Sequence, residues 1–286
     1  MSYNRIIIER KLKEFLEEDC NYMDVSSKFI PEDSISSAKI IAKSKGFVSG
    51  LEELKILYEI LNVKVNLQKR EGEEIKKGDV IAEIRGKTRS ILQGERVGLN
   101  LITHMSSITS TVKNFVRIIQ DSGKKLKIAS TRKTIPNLRI FEKKAVEIGG
   151  GDTHRYSLDD MILLKDTHLR HYQGDIQKLL TDVKNKASFS KKIEIEVEKV
   201  KDVLIAAQNG ADIIMLDNMS PDQVEDAINI LKDNNLRDKV IIEVSGGITI
   251  ENFADYLMTP NTPDIISSSE LTLFPSVRVD LSLRFD

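Results

Sequence analysis

The residues able to do chemistry in this 286-residue chain gather at a few points. Arg132 and Lys133, within Ser130-Thr131-Arg132-Lys133-Thr134, form a local cationic set with Arg155 and Lys165. Arginine grips carboxylate or phosphate through its planar fork, and lysine does so as a point charge. Glu196 and Asp217 are hard oxygen donors, suited to Mg²⁺ or to ribose hydroxyls. Ser245-Gly246-Gly247 stands before a helical stretch and offers backbone N–H groups to a phosphate. Gly149-Gly150-Gly151 leads through Asp152 and Thr153 to His154 and Arg155, and glycines let a backbone approach a ligand closely. The same run also reads as a helix terminator followed by a loop histidine. His104 and His168 stay open between structural and chemical roles, and His171 reads as surface. No His and Cys set has zinc spacing.

The totals narrow the partners. With 43 basic against 44 acidic side chains there is no global field to recruit nucleic acid, so an anion site must be a local cluster. Cys20 is the single cysteine, which excludes an intramolecular disulfide and fits a reducing compartment. Ile8, Leu12, Phe15 and Leu16 fall at helical spacing between charges and predict an amphipathic helix, not a signal sequence. No apolar run approaches the roughly 18 residues of a membrane span. The expectation is a cytoplasmic protein.

These residues need a scaffold. In the first hundred residues, strand-like runs at 38–42, 63–67 and 80–84 flank a helical stretch at 52–61, an α+β pattern. Leu92, Leu99, Ile102, Met105, Ile108, Val112, Phe115 and Ile119 then recur at three- and four-residue steps, predicting one long helix. Beyond Gly123, six short apolar runs (125–129, 161–164, 193–197, 212–216, 240–244 and 264–266) alternate with helical stretches at 138–148, 176–185, 199–209, 221–234 and 250–257. Strands alternating with helices imply parallel pairing and right-handed crossovers. Six such units favour a barrel or partial barrel over an open sheet. Each run is followed by a polar cluster, and in a parallel barrel all those strand ends open on one active face. Solvent exposure of strand ends alone would give polarity, but not this complementary set.

At these residues the chain resembles the quinolinate phosphoribosyltransferase family. The likeness runs through Gly94-Glu95-Arg96 with Leu99-Asn100, Thr131-Arg132-Lys133-Thr134, residues 149–155, Leu164-Lys165-Asp166, Glu194-Ile195-Glu196-Val197, residues 211–218 and residues 243–247. It implies an N-terminal α/β sandwich over 1–110, completed by a strand at 277–286, and a partial open α/β barrel over 111–276. It further implies conversion of quinolinate and 5-phosphoribosyl-1-pyrophosphate to nicotinate mononucleotide, pyrophosphate and CO₂, with Mg²⁺, in a homodimer whose sandwich covers the partner's barrel. Carried over, Arg96 reaches into the partner's site, and Arg132, His154, Arg155 and Lys165 hold the two carboxylates. Lys133 contacts the phosphoribosyl donor. Glu196 and Asp217 bind its ribose or the metal, and Ser245, Gly246 and Gly247 hold the 5′-phosphate. Lys133, Lys165, Glu196 and Asp217 make up the catalytic set.

Three departures stand out. Thr153 replaces the family's usual Asn, and Thr167 replaces the Asn of Asp-Asn-His. Residues 269–274, Ser-Glu-Leu-Thr-Leu-Phe, replace a Gly-Ala-Leu-Thr-His-Ser loop. Other readings remain open at this point: a barrel lyase using Lys165 as a Schiff-base amine, a molybdenum-transport-associated relative, and a ligand-binding paralogue without turnover.

Overall fold

A computed structural model describes residues 3–286 of the chain. It divides into two compact units, one gathering the chain up to Lys113 with Pro136–Gly149 and Pro275–Asp286, the other Asn114–Ile135 with Gly150–Phe274.

The first helix, α1 (Arg5–Asp19), starts where the Asn4 side chain accepts from Ile6 N, and it buries Ile8, Leu12 and Leu16. Next come β1 (Ile35–Ala42), the two-residue β2 (Gly46–Phe47), α2 (Leu51–Ile60), β3 (Lys64–Leu67), β4 (Glu74–Ile75) and β5 (Val80–Lys87). The expected long helix is α3 (Thr88–Ser122), whose Ile102, Met105, Ile108, Val112 and Phe115 are fully buried. Beyond β6 (Lys127–Ser130) lies α4 (Arg139–Gly149), the stretch anticipated at 138–148.

The first unit runs to Lys113 and also takes in the 136–149 segment. Within that unit Thr109 Oγ1 donates to Ala145 O at 2.8 Å, and Lys144 Nζ lies 2.7 Å from the buried Glu53. A Cβ on Gly149 would fall 2.6 Å from Val112 Cβ, so the close passage of α4 against α3 requires that glycine.

The second unit continues with β7 (Ile162–Leu164), α5 (Asp166–His171), α6 (Ile176–Lys186), β8 (Ile193–Val197), α7 (Asp202–Gln208), β9 (Ile213–Asp217), α8 (Pro221–Asp233), β10 (Ile241–Ser245), α9 (Asp255–Met258) and β11 (Ile265–Ser268). Starts are written in the sequence: Ser220, Pro221 and Gln223 form a capping box on α8, and Asp175 caps α6. The chain closes with β12 (Leu281–Phe285), which pairs antiparallel with β1 from Ala42↔Leu281 to Ala38↔Phe285. The first unit thus carries the antiparallel sheet β12-β1-β5-β3 over a core that includes Ile40, Leu54, Tyr58, Ile81, Ile84 and Ile102.

The other sheet is wholly parallel in the order β6-β11-β10-β9-β8-β7. That is the cyclic order of a barrel with the β6–β7 ladder missing, the open α/β barrel the repeating pattern predicts. The free edge of β6 is not bare. Asp152 N donates to Ile128 O at 2.8 Å, and Ser130 N donates to Asp152 O at 2.9 Å. The 150–155 segment therefore runs beside β6, where an adjoining strand would otherwise lie.

Candidate active site

Because all six strands of the second unit are parallel, their carboxyl ends share one side. Thr131, Arg132 and Lys133 follow β6, and Lys165 follows β7. Glu196 lies near the end of β8, Asp217 ends β9, Ser245 ends β10, and Gly246 and Gly247 come next. Together with His154 and Arg155 these residues line one cavity of about 590 Å³. Their spatial order is zoned. Cations come from β6, the 150–155 segment and β7, while carboxylates come from β8 and β9, and the Ser-Gly-Gly turn comes from β10. A smaller cavity of about 330 Å³ shares Asp166, Glu196 and Asp217 and adds Glu198 and Lys199.

On the cationic side Arg155 is only 9% exposed. Burial lowers the proton affinity of its guanidinium, and the neighbouring charge of Arg132 lowers it further. The carboxylates of Glu194, Glu196 and Asp160 act in the opposite sense. On the acidic side burial raises the Glu196 carboxyl above its ordinary range. Lys165, which forms an ion pair with Glu196, opposes that shift, whereas the charges of Asp217 and Asp166 add to it. Glu196, Asp217 and Asp166 bring carboxylate oxygens, the ligand type that Mg²⁺ takes, to this side of the cavity.

His154 lies at the inner end of the cavity in a left-handed backbone conformation, φ +51°. Its backbone N donates to Asp152 Oδ1 at 2.9 Å. Nε2 faces Glu243 Oε2 at 3.1 Å and Glu194 Oε2 at 3.5 Å. One donor atom from each of the three residues lies within 4.8 Å of the others. Burial by itself would depress the imidazole, but the carboxylates of Glu194 and Glu243 beside Nε2 outweigh it and raise the pKa to about 10. The backbone N of Arg155 lies 2.6 Å from Nδ1, which in the neutral ring is the acceptor, with the proton on Nε2. Nε2 carries its proton in that tautomer and in the imidazolium alike, so it is the donor to the carboxylates in both. Each ring nitrogen of the expected carboxylate ligand His154 therefore already faces a group of its own chain.

On the phosphate side Gly246 adopts φ +94° because Asn218 backs it: a Cβ there would lie 2.3 Å from Asn218 Oδ1 and 2.8 Å from Asn218 N. Ser267 Oγ donates to Ser245 Oγ at 3.0 Å. The departing 269–274 stretch forms a short 3₁₀ turn over Ser269–Leu271. Glu270 Oε2 accepts from Ile250 N at 2.9 Å, and Thr272 Oγ1 donates to Lys133 O at 2.8 Å. Its carboxylate thus braces the turn that follows the two glycines.

Arg96 is not among the cavity-lining residues. It stands on α3 in the first unit with its side chain 62% exposed and Glu95 4.0 Å away. His104 pairs with Glu142 at 2.8 Å, and His168 Nδ1 accepts from Lys165 N at the start of α5. The functional reading of the sequence passed over Glu194 and Glu243. Their signal is a carboxylate at an inward position of an otherwise apolar strand, plainest in Ile241-Ile242-Glu243-Val244.

Two family descriptions match the chain: Quinolinate phosphoribosyl transferase, N-terminal domain, over residues 24–106, and its C-terminal domain over 108–284. A protein of Archaeoglobus fulgidus named probable nicotinate-nucleotide pyrophosphorylase [carboxylating] is 43% identical over 263 residues, covering 92% of this chain and 98% of that one. The human nicotinate-nucleotide pyrophosphorylase [carboxylating] is 33% identical over 273 residues, covering 94% of this chain and 89% of its own. The structure of the Francisella tularensis nicotinate-nucleotide pyrophosphorylase superposes with a TM-score of 0.89 at 31% identity, over 100% of this chain and 98% of that one.

The turn geometry gives a graded prediction. Nothing lies within 4 Å of a Cβ on Gly247, whose φ is +63°. Gly247→Ala should therefore cost only the left-handed backbone penalty, about 1–2 kcal/mol. Gly246→Ala adds collision with the Asn218 backbone and should cost more, about 2–4 kcal/mol in all. Urea unfolding of the two variants checks the order, and equal midpoints would refute this account of the turn.

Proposed function

This chain belongs to the quinolinate phosphoribosyl transferase family, and from that premise we propose that it joins quinolinate to 5-phosphoribosyl-1-pyrophosphate. The products are nicotinate mononucleotide, pyrophosphate and CO₂, a step in NAD biosynthesis. The observation that carries this reading is the zoned cavity, with four cations on one side and ribose- and metal-type carboxylates and a phosphate turn on the other.

Arg132, Arg155 and Lys165 hold the acceptor's two carboxylates, with His154 beneath Arg155. This fixes the pyridine nitrogen toward C1 of the ribose, and orientation of two reactants supplies much of the rate. Lys133 meets the donor's phosphates, and Ser245, Gly246 and Gly247 cradle its 5′-phosphate through backbone N–H groups. The nitrogen bonds to C1 as the C1–O bond to pyrophosphate breaks, and the leaving oxygen keeps the electron pair. Cations fixed beforehand stabilise that departing charge more than water would. The ring is then an N-ribosyl pyridinium, whose positive charge stabilises the electron pair left at C2 when CO₂ leaves, and a proton takes its place. Glu196 and Asp217 would hold Mg²⁺, which when bound neutralises pyrophosphate charge. Glu196 and Asp217 also orient the ribose hydroxyls. No side chain needs to act as a nucleophile, so Lys165 serves as a cation and not as a Schiff-base amine.

We place the enzyme in a homodimer in which Arg96 is donated to the partner's site. Arg96 is highly exposed for a residue assigned to substrate, and a second copy would supply the cover that excludes water from a dense group of charges. Among the described residues no helix is long and apolar enough to cross a membrane. The lone Cys20 suits the reducing cytoplasm.

Three outcomes test these roles. In an assay of CO₂ and pyrophosphate release, Arg132→Ala and Arg155→Ala should each lose about 1.5–3 kcal/mol of quinolinate binding while keeping the fold. Unchanged quinolinate affinity in both would remove the acceptor pocket from this cavity. Glu196→Gln and Asp217→Asn should shift the Mg²⁺ and phosphoribosyl donor titrations more than the quinolinate one, and parental Mg²⁺ curves would refute the metal assignment. Finally, mixing inactive Arg96→Ala and Lys165→Ala chains under subunit exchange should restore part of the activity. Proven heterodimers that stay inactive would rule out donation of Arg96 across subunits.

A further inference from the structure

The proposed chemistry leaves Glu194 and Glu243 unused, yet both are fully buried. They come from β8 and β10, two different strands, and converge on one imidazole nitrogen, Nε2 of His154. Three of their four oxygens (both of Glu194 and Oε1 of Glu243) accept no hydrogen bond from any described group. An apolar pair of similar volume would cost far less to bury, so stability does not explain these carboxylates.

What they hold is the weakest-supported stretch of the barrel. Between β6 and β7 the sheet has no ladder, and the 150–155 segment crosses there with Gly150 at φ +91° and His154 at φ +51°. A non-glycine residue in that region persists only where its surroundings enforce it. On one side the segment is tied to β6 through Asp152, which also pairs with Lys127 at 3.1 Å. On the other side the His154 ring reaches Glu194 of β8 and Glu243 of β10. Nδ1 of that ring faces Arg155 N at 2.6 Å, so the imidazole links the buried carboxylates directly to the backbone of Arg155.

We infer that Glu194 and Glu243 are positioning residues: by gripping His154 Nε2 they set the 150–155 segment and so aim Arg155 at the acceptor's carboxylates. This rests on the assignment of Arg155 to the acceptor given above. It casts His154 as the strut between carboxylates and arginine, with both ring nitrogens spent within the chain. The effect belongs to acceptor binding alone, because the donor-side groups on β8, β9 and β10 do not hang from this segment.

The test is steady-state kinetics on Glu243→Ala, Glu194→Ala and the volume-preserving Glu194→Gln and Glu243→Gln, each checked for fold by circular dichroism and thermal midpoint. The quinolinate KM should rise tenfold or more in the Ala variants, with the phosphoribosyl donor KM within threefold of the parent. Glu243→Gln keeps the oxygen that accepts from Nε2–H and Glu194→Gln keeps an oxygen beside it, so both should recover at least half of that rise on a logarithmic scale. On a His154→Gln background Glu243→Ala should add less than twofold, since its route to the acceptor is already cut. If an Ala variant does not fold, the Gln variants on the parental and His154→Gln backgrounds carry the same comparison.

Equal rises in both KM values, no rescue by Gln, or additive effects with His154→Gln would overturn the inference. So would a stoichiometric metal ion in the purified protein that Glu243→Gln releases, since the three residues would then be its ligands. Should Arg155→Ala raise the quinolinate KM while the Glu variants do not, the positioning role fails and the pocket stands. Should Arg155→Ala also leave it unchanged, the pocket assignment itself fails.

Discussion

A parallel sheet of six strands leaves two strand edges that must satisfy their backbone groups without each other, and the second unit is organised around that need. At β6 the partner is Asp152, whose N–H and C=O complete the ladder at Ile128 and Ser130. Buried backbone polar groups are seldom left unpaired, so some segment has to lie along this edge. The one that does begins with Gly150 and Gly151, which can turn sharply and approach closely. Having made its bridge at Asp152, it delivers His154 and Arg155 to the cavity. A requirement of sheet chemistry thereby places cations where no strand end could.

The zoning of charge follows from the same order. Strands that neighbour one another contribute side chains of like kind, so carboxylates crowd on β8 and β9 while the cations flank the missing ladder. Burial and the charges of Asp217 and Asp166 raise the Glu196 carboxyl, and burial beside Arg132 lowers the Arg155 guanidinium. Each half is less comfortable alone than it would be with a charged ligand of opposite sign.

Much of this was legible in the sequence because barrels write their function at strand ends. Apolar runs of strand length, each closed by a polar cluster, gave the parallel sheet and brought Arg132, Lys133, Lys165, Glu196, Asp217 and Ser245 to one side. Other features left weaker marks. Helix α5 is six residues with no buried position, so it has no apolar period to detect. The stretch expected as a helix at 250–257 forms helix only over Asp255–Met258, the earlier residues being spent on turns at Thr249 and Asn252. The membership of 136–149 depends on long-range partners, such as Thr109 for Ala145 and Glu53 for Lys144, that spacing cannot reveal. Glu194 sits in plain alternation with Glu196, but alternation says only that both face inward. It does not say that one meets Lys165 and the other a histidine brought across a gap from 40 residues earlier.

The strand β12 pairs with β1, so the antiparallel sheet joins residues 35–42 to residues 281–285. On the ribosome this makes the first unit the last to be finished. Its β1, β3 and β5 emerge early, yet one edge of β1 stays open while every strand of the parallel barrel is made. Through that interval the exposed edge, with Ile40 and Ala42 beside it, is a template for foreign strands. Domains usually fold as units in order of synthesis, N-terminal first. Here the order is inverted by topology: the six parallel strands, encoded in the middle, can pair with one another before the first unit has received β12.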